Sequence, residues 1–204
     1  MNVDGSEIVT EGTGWHEQLA DHAEIAVSFS VTGRDRASAV RDLGRAMAAA
    51  EPAMSRPGVK IRSRRLWVRT EWRGRRPAGC RVGEDVALLV TDVPALENIL
   101  NALITAEPTT LSGPHWTLED PSVALRAAQH NAVTDARRRA EGYAAALGGT
   151  LGPLRRLVEA PDHGLPVAFR AAHAEAAVVD VQELGLEPEP VRVTARCTAT
   201  WALG

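Results

Sequence analysis

The residues best suited to chemistry are cations crowded between Lys60 and Arg81. Lys60, Arg62, Arg64, Arg65, Arg69, Arg73, Arg75, Arg76 and Arg81 stand against Glu71 alone, a net of +8. Trp67 and Trp72 are interleaved with them. Guanidinium groups beside indoles can hold phosphates while bases stack on the rings, which is single-stranded nucleic-acid chemistry. They can equally dock on an acidic face of another subunit, or simply form a solvated strand face with scattered ion pairs. The rest of the chain holds 14 basic and 25 acidic residues. Between Glu159 and Pro190 seven acids oppose Arg170. A net charge of −3 and a pI near 6.1 argue against a bulk nucleic-acid binder. Charge separated this way along one chain suits head-to-tail contact between copies. The candidate interaction residues are Arg62, Arg64, Arg65, Trp67, Arg69, Trp72, Arg73, Arg75 and Arg76.

Other constellations are weaker. His16, His22, His115, His130, His163 and His173 include no pair four apart, and no Cys-x-x-Cys occurs, so no metal-ligand pattern is present. Cys80 and Cys197 lie in alternating segments and read as two small buried thiols. No nucleophile elbow is found. Gly148-Gly149-Thr150-Leu151-Gly152 resembles a phosphate loop, but it follows a helix where such a loop precedes one. It reads as a helix cap. Gly12-Thr13-Gly14 is too short to define a loop. No catalytic residue and no cofactor is expected, and the chain reads as non-enzymatic.

The elements that must carry the basic stretch follow from periodicity. Ala23, Ile25, Val27, Phe29 and Val31 alternate as a half-buried strand. Asp35 caps a helix with Ala37, Val40, Leu43, Met47 and Ala50 on one face, stopped by Pro52 and Pro57. Val59 and Ile61 change phase with Leu66, Val68 and Trp72, which predicts a bulge near Ser63. Residues 73–79 read as a turn-like loop, and Cys80, Val82, Val86, Leu88 and Val90 as the returning strand of a long hairpin. Asp92 and Pro94 open a helix with Leu96, Ile99, Leu100, Leu103 and Ile104 inward. His115 to Leu118 is a short strand. This order predicts an α+β fold with a ferredoxin-like βαββαβ core and an antiparallel sheet over 23–118.

Residues 120–204 extend that core within a single domain spanning 1–204. Asp120 and Pro121 start a helix of about 27 residues, about 40 Å long, whose inward stripe is Leu125, Ala128, Ala132, Ala136, Ala140, Tyr143 and Leu147. Gly148 and Gly149 cap it. Strands follow at 151–158 and 191–201. Residues 160–190 are irregular, with a short strand candidate at 176–181. A length of 204 residues with 45% apolar side chains supports a real core without a disulfide or metal staple.

Residues 132–159, AVTDARRRAEGYAAALGGTLGPLRRLVE, resemble the signature of the SIMPL-domain (DUF541) family. Asp135, Ala136, Arg137, Ala140, Glu141, Ala144, Leu147, Gly148, Leu151 and Gly152 carry the match. Arg139 replaces the usual Lys and Tyr143 the usual Leu. The resemblance implies an α+β fold and a tendency to homo-oligomerise, which favours subunit docking for the basic hairpin. It also implies members linked to oxidative-stress defence, one linked to kinase signalling, and many that look exported, and the chain is read as self-assembling with a stress-related or scaffolding role. Here residues 1–20 carry Asp4, Glu7, Glu11 and Glu17 and no apolar run of signal-peptide length, so a cytoplasmic location is expected. The expected partner is another copy of the chain. Nucleic acid is the lesser alternative, and no membrane span is expected.

Overall fold

A computed structural model describes residues 5–160 and 185–204. The fold is α+β with two antiparallel sheets and three helices. In chain order the elements are β1 (Glu7–Leu19), β2 (His22–Gly33), α1 (Arg36–Met54), β3 (Val59–Arg73), β4 (Arg76–Val90), a 3-10 turn (Val93–Ala95), α2 (Leu96–Thr105), β5 (Thr110–Thr117), α3 (Ser122–Ala146), β6 (Leu151–Glu159) and β7 (Pro190–Leu203). They gather into two compact units. One contains β2 to β5 with α1 and α2, and the other contains β1, α3, β6 and β7.

In the unit around residues 20–118, the strands run in the order β3-β4-β2-β5. Alternation places Ile25, Val27 and Phe29 of β2 and Val82, Val86, Leu88 and Val90 of β4 on one face, where all are buried. Ala39, Leu43, Met47 and Ala50 of α1 and Leu96, Ile99, Leu100 and Leu103 of α2 close that core. Asp35 begins α1 with a capping box: its side chain accepts the Ser38 N–H, and the Ser38 hydroxyl lies against the Asp35 N–H. The inward stripe of α1 starts at Ala39, so Ala37 and Val40 are exposed. Ile104 of α2 is likewise exposed.

Pro52 does not stop α1. An internal proline removes one helical hydrogen bond, but Ala53 and Met54 beyond it are buried, and the Ser55 N–H closes the end on the Glu51 carbonyl at 3.0 Å. The predicted bulge lies at Arg62, between Ile61 and Ser63. The hairpin loop is shorter than residues 73–79. Gly74, at φ +61°, and Arg75 alone make the turn, and a second bulge at Ala78 lets β4 run on to Arg76. β5 starts at Thr110, five residues before the predicted start, because Leu111 and Ser112 already pair with β2.

In the other unit, β7 lies between β1 and β6, and α3 packs against β1 and β7. β1 carries no periodic large apolar residues, so alternation alone does not reveal it. Its inward positions are Ile8, Thr10, Gly12 and Gly14. Opposite them on α3 lie Ala124, Ala128, Ala132, Ala136, Ala140 and Ala144, all buried. The two glycines explain why the stripe is alanine throughout. A Cβ on Gly12 would collide with the Ala132 carbonyl oxygen, and one on Gly14 with that of Ala128. Strand and helix backbones approach too closely for larger groups. Tyr143 and Leu147, predicted inward, are therefore 61% and 68% exposed, and Leu125 is also exposed.

Ser122 is the first helical residue of α3, with Pro121 just outside. Asp120 still serves the start, accepting the Ser122 N–H at 2.9 Å. At the other end the Gly149 N–H reaches the Ala144 carbonyl and the Gly148 N–H that of Ala145, with Gly148 at φ +73°. This is a Schellman cap. Cys80 and Cys197 are free and buried. The strand candidate at 176–181 lies outside the described residues.

Candidate interaction surface

The basic stretch forms a hairpin of two 15-residue strands. Among the described strands β3 lies at the end of its sheet, paired with β4. Beyond the bulge at Arg62, alternation sorts its side chains by face. Arg64, Leu66, Val68 and Trp72 share the face that α1 covers near its base. Arg65, Trp67, Arg69 and Glu71 point to the opposite, helix-free face.

Arg64 is committed to its own unit. Its guanidinium pairs with Glu51 of α1 at 3.0 Å and with Glu84 of β4 at 2.7 Å. The Glu51 hydrogen bond leads the contributions that hold this arginine charged above its ordinary range. Trp67 is half-buried, its ring over Gly83 so closely that a Cβ there would enter the indole. Arg69 covers that ring at 5.1 Å, a cation–π contact. Arg69 stands directly across from Arg81, and Glu71 relieves the repulsion by pairing with Arg81 at 3.1 Å.

Further out the hairpin is uncovered. Leu66, Val68 and Trp72 are 60%, 41% and 63% exposed on one face. Arg73, Arg75 and Arg76 surround the turn and form no ion pair among the described residues. Arg62 sits exposed at the bulge. The nine candidate residues thus divide into three groups: Arg65, Trp67 and Arg69 on one face, Arg64 and Trp72 on the other, and the rest at the tip or bulge. The two tryptophans do not form one stacking platform, because a step of five along β3 places them on opposite faces.

A second feature escaped the motif search. Asp135 Oδ2 accepts the Thr13 N–H of β1 at 3.3 Å, and the Asn131 amide donates to the Trp15 carbonyl at 3.0 Å. Both bonds satisfy main-chain groups on the outer edge of β1. Partial burial pushes the Asp135 carboxyl up. The Thr13 N–H, Arg139 at 2.9 Å and Arg138 at 2.6 Å outweigh that and hold it below the usual carboxylate range. Asp135 and Arg139 were legible as a surface pair four apart, whereas the contact with β1 depends on the tertiary fold.

Among the described residues no three His, Cys, Asp or Glu side chains gather to hold a metal ion. No helix among them is long and apolar enough to cross a membrane.

These features define an α+β protein of two antiparallel sheets, with a helix locked by alanines onto a glycine-bearing strand and a long basic edge hairpin. The chain belongs to the SIMPL family, described as "Protein of unknown function (DUF541)", which it matches over residues 8–201. No curated protein matches it.

Proposed function

We propose that this protein is a non-enzymatic, self-assembling homo-oligomer with a scaffolding role, and that the β3–β4 hairpin is its principal contact. The observation carrying this is the exposed apolar row Leu66, Val68 and Trp72 on a strand at the end of its described sheet, rimmed by arginines that form no ion pair among the described residues. An apolar strip with a charged rim resembles the build of protein interfaces, and a long exposed edge strand invites pairing. The test is native mass by light scattering at low and high salt. A discrete oligomer that shrinks when Arg73, Arg75 and Arg76 are all replaced by Glu, with circular dichroism unchanged, supports the reading. An unchanged mass removes the hairpin from the contact.

A second reading has its own observation: Arg65, Trp67 and Arg69 share one open face. That grouping suits a polyanion such as single-stranded RNA. It requires salt-sensitive binding that Trp67→Ala abolishes.

A further inference from the structure

Glu51 of α1 reaches Arg64 of β3 at 3.0 Å, and that bridge fixes which side of α1 faces the basic strand. Gly44 and Val40 stand seven and eleven positions earlier. At 100° per residue both lie within about 20° of Glu51 around the helix. They therefore face the same strand, whose Leu66, Val68 and Trp72 project from the helix-bearing face of the sheet. Val40 is exposed, and a Cβ on Gly44 would meet nothing within 4 Å. The start of α1 and the outer hairpin share a cleft lined by Arg34, Asp35, Thr70 and Cys80. So α1 runs beside β3 from the level of Thr70 to that of Arg64. An apolar groove results. Val40 and Gly44 form its wall and Leu66 and Val68 its floor. The Arg64–Glu51 bridge closes one end, and Trp72 stands at the open end, past the start of α1.

The charges around this groove have two poles. Arg73, Arg75 and Arg76 surround the turn and form no ion pair among the described residues. At the closed end Glu51 and Glu84 hold Arg64 between them, two negative groups around one positive. Two grooves laid together in the same direction bring turn against turn, where like charges repel. Laid in opposite directions about the middle of the row, they bring Leu66 against Trp72 of the second copy. The same arrangement carries each arginine turn to the other copy's Glu51 and Glu84. Apolar groups meet apolar groups and positive meets negative, and a two-fold axis generates both at once.

We infer that the groove between α1 and β3 is filled by the same groove of a second copy. The two β3 rows run antiparallel about a two-fold axis near the level of Arg69, and the Val40 and Gly44 sides of the two α1 helices close over them. The inference rests on the assembly reading above and specifies its geometry. Trp72 is the aromatic anchor of the contact, and Gly44 lets the helices approach. A self-complementary contact of this kind closes at two chains, where a head-to-tail contact would run on to a ring or filament.

The experiment measures native mass by light scattering for the full chain, Gly44→Glu and Trp72→Ala, with circular dichroism as the folding check. Both sites are exposed, so the fold should survive in each variant. The full chain is expected at twice the 21.8 kDa of one chain. Gly44→Glu places a charge in the groove and is expected at the mass of one chain. Trp72→Ala should raise the dissociation constant at least about 30-fold. Val68→Cys, one residue from the axis, should give a covalent dimer with a short bismaleimide, while the wild type and Ile104→Cys on α2 should not. A Gly44→Glu mass equal to that of the full chain, no cross-link through Val68→Cys, or an assembly of any number of chains other than two overturns the groove contact and leaves assembly intact. A full chain that is monomeric at every salt concentration overturns the assembly reading and this contact together.

Discussion

Asp135 of α3 holds the Thr13 N–H of β1 at 3.3 Å while Arg138 and Arg139 hold Asp135. One carboxylate thereby joins a helix surface network to a sheet edge that is 122 residues away in sequence. Its Asn131 neighbour, one helical turn earlier, takes the Trp15 carbonyl. Two main-chain groups on the edge of β1, the Thr13 N–H and the Trp15 carbonyl, thus find partners on α3.

Asp135→Ala should remove an acceptor that the Thr13 N–H needs and cost about 2 kcal/mol of unfolding free energy, in the range for hydrogen bonds to charged groups. Urea titration followed by circular dichroism measures it. If stability is unchanged, water serves the Thr13 N–H equally well and the contact does not stabilise the seam.

The pH dependence of that carboxylate has a definite sign. Its folded-state pKa lies below its unfolded value near 3.8. The stabilisation it brings is therefore complete above the unfolded value and fades as pH falls through the folded one. Asp135→Asn keeps an acceptor oxygen but cannot titrate. Between pH 5 and 2, taken as roughly the window around that value, its melting temperature should fall less steeply than the wild type's. Parallel curves would show that Asp135 contributes nothing to acid sensitivity.

The strand–helix seam makes a sharp contrast among glycines. Gly12→Ala must push a methyl into the Ala132 carbonyl, and the overpacking should cost about 3 kcal/mol. Gly142→Ala lies within α3 with open space around its Cβ. It should stabilise by about 0.5–1 kcal/mol through helix propensity. Thermal melts of both variants against the wild type check the pair, and a destabilised Gly142→Ala would mean that this face is covered by something else.

The cysteines should be silent in the native state. Both are buried, and burial pushes the Cys197 thiol up, which lowers its thiolate fraction. A chromogenic disulfide reagent at neutral pH should find almost no reactive thiol in the folded protein and two per chain in denaturant. Rapid native labelling would show that the β7–α3 seam opens.

Much of the fold is legible without coordinates, because the unit around residues 20–118 obeys simple periods. Ile25, Val27 and Phe29 alternate, Leu96, Ile99, Leu100 and Leu103 keep the helical step, and the phase change after Ile61 announces the bulge at Arg62. These are local consequences of pleat and pitch. The seam of β1 and α3 was illegible because it is built by omission. Glycine and alanine pack by letting backbones approach, so they leave no apolar signal, and the eye follows Leu125, Tyr143 and Leu147 instead.

The sequence by itself determined the α+β class, most elements of the unit around residues 20–118, the SIMPL signature and the charge of the hairpin. All of these depend on residue order over short spans. Tertiary structure alone decided which of the charges stay available. It placed Glu51 and Glu84 beside Arg64, laid Trp67 on Gly83, set Trp72 on the other face, and left β3 at the end of its described sheet. Those outcomes depend on which strands become neighbours, and strand neighbourhood is fixed by packing between segments far apart in the chain.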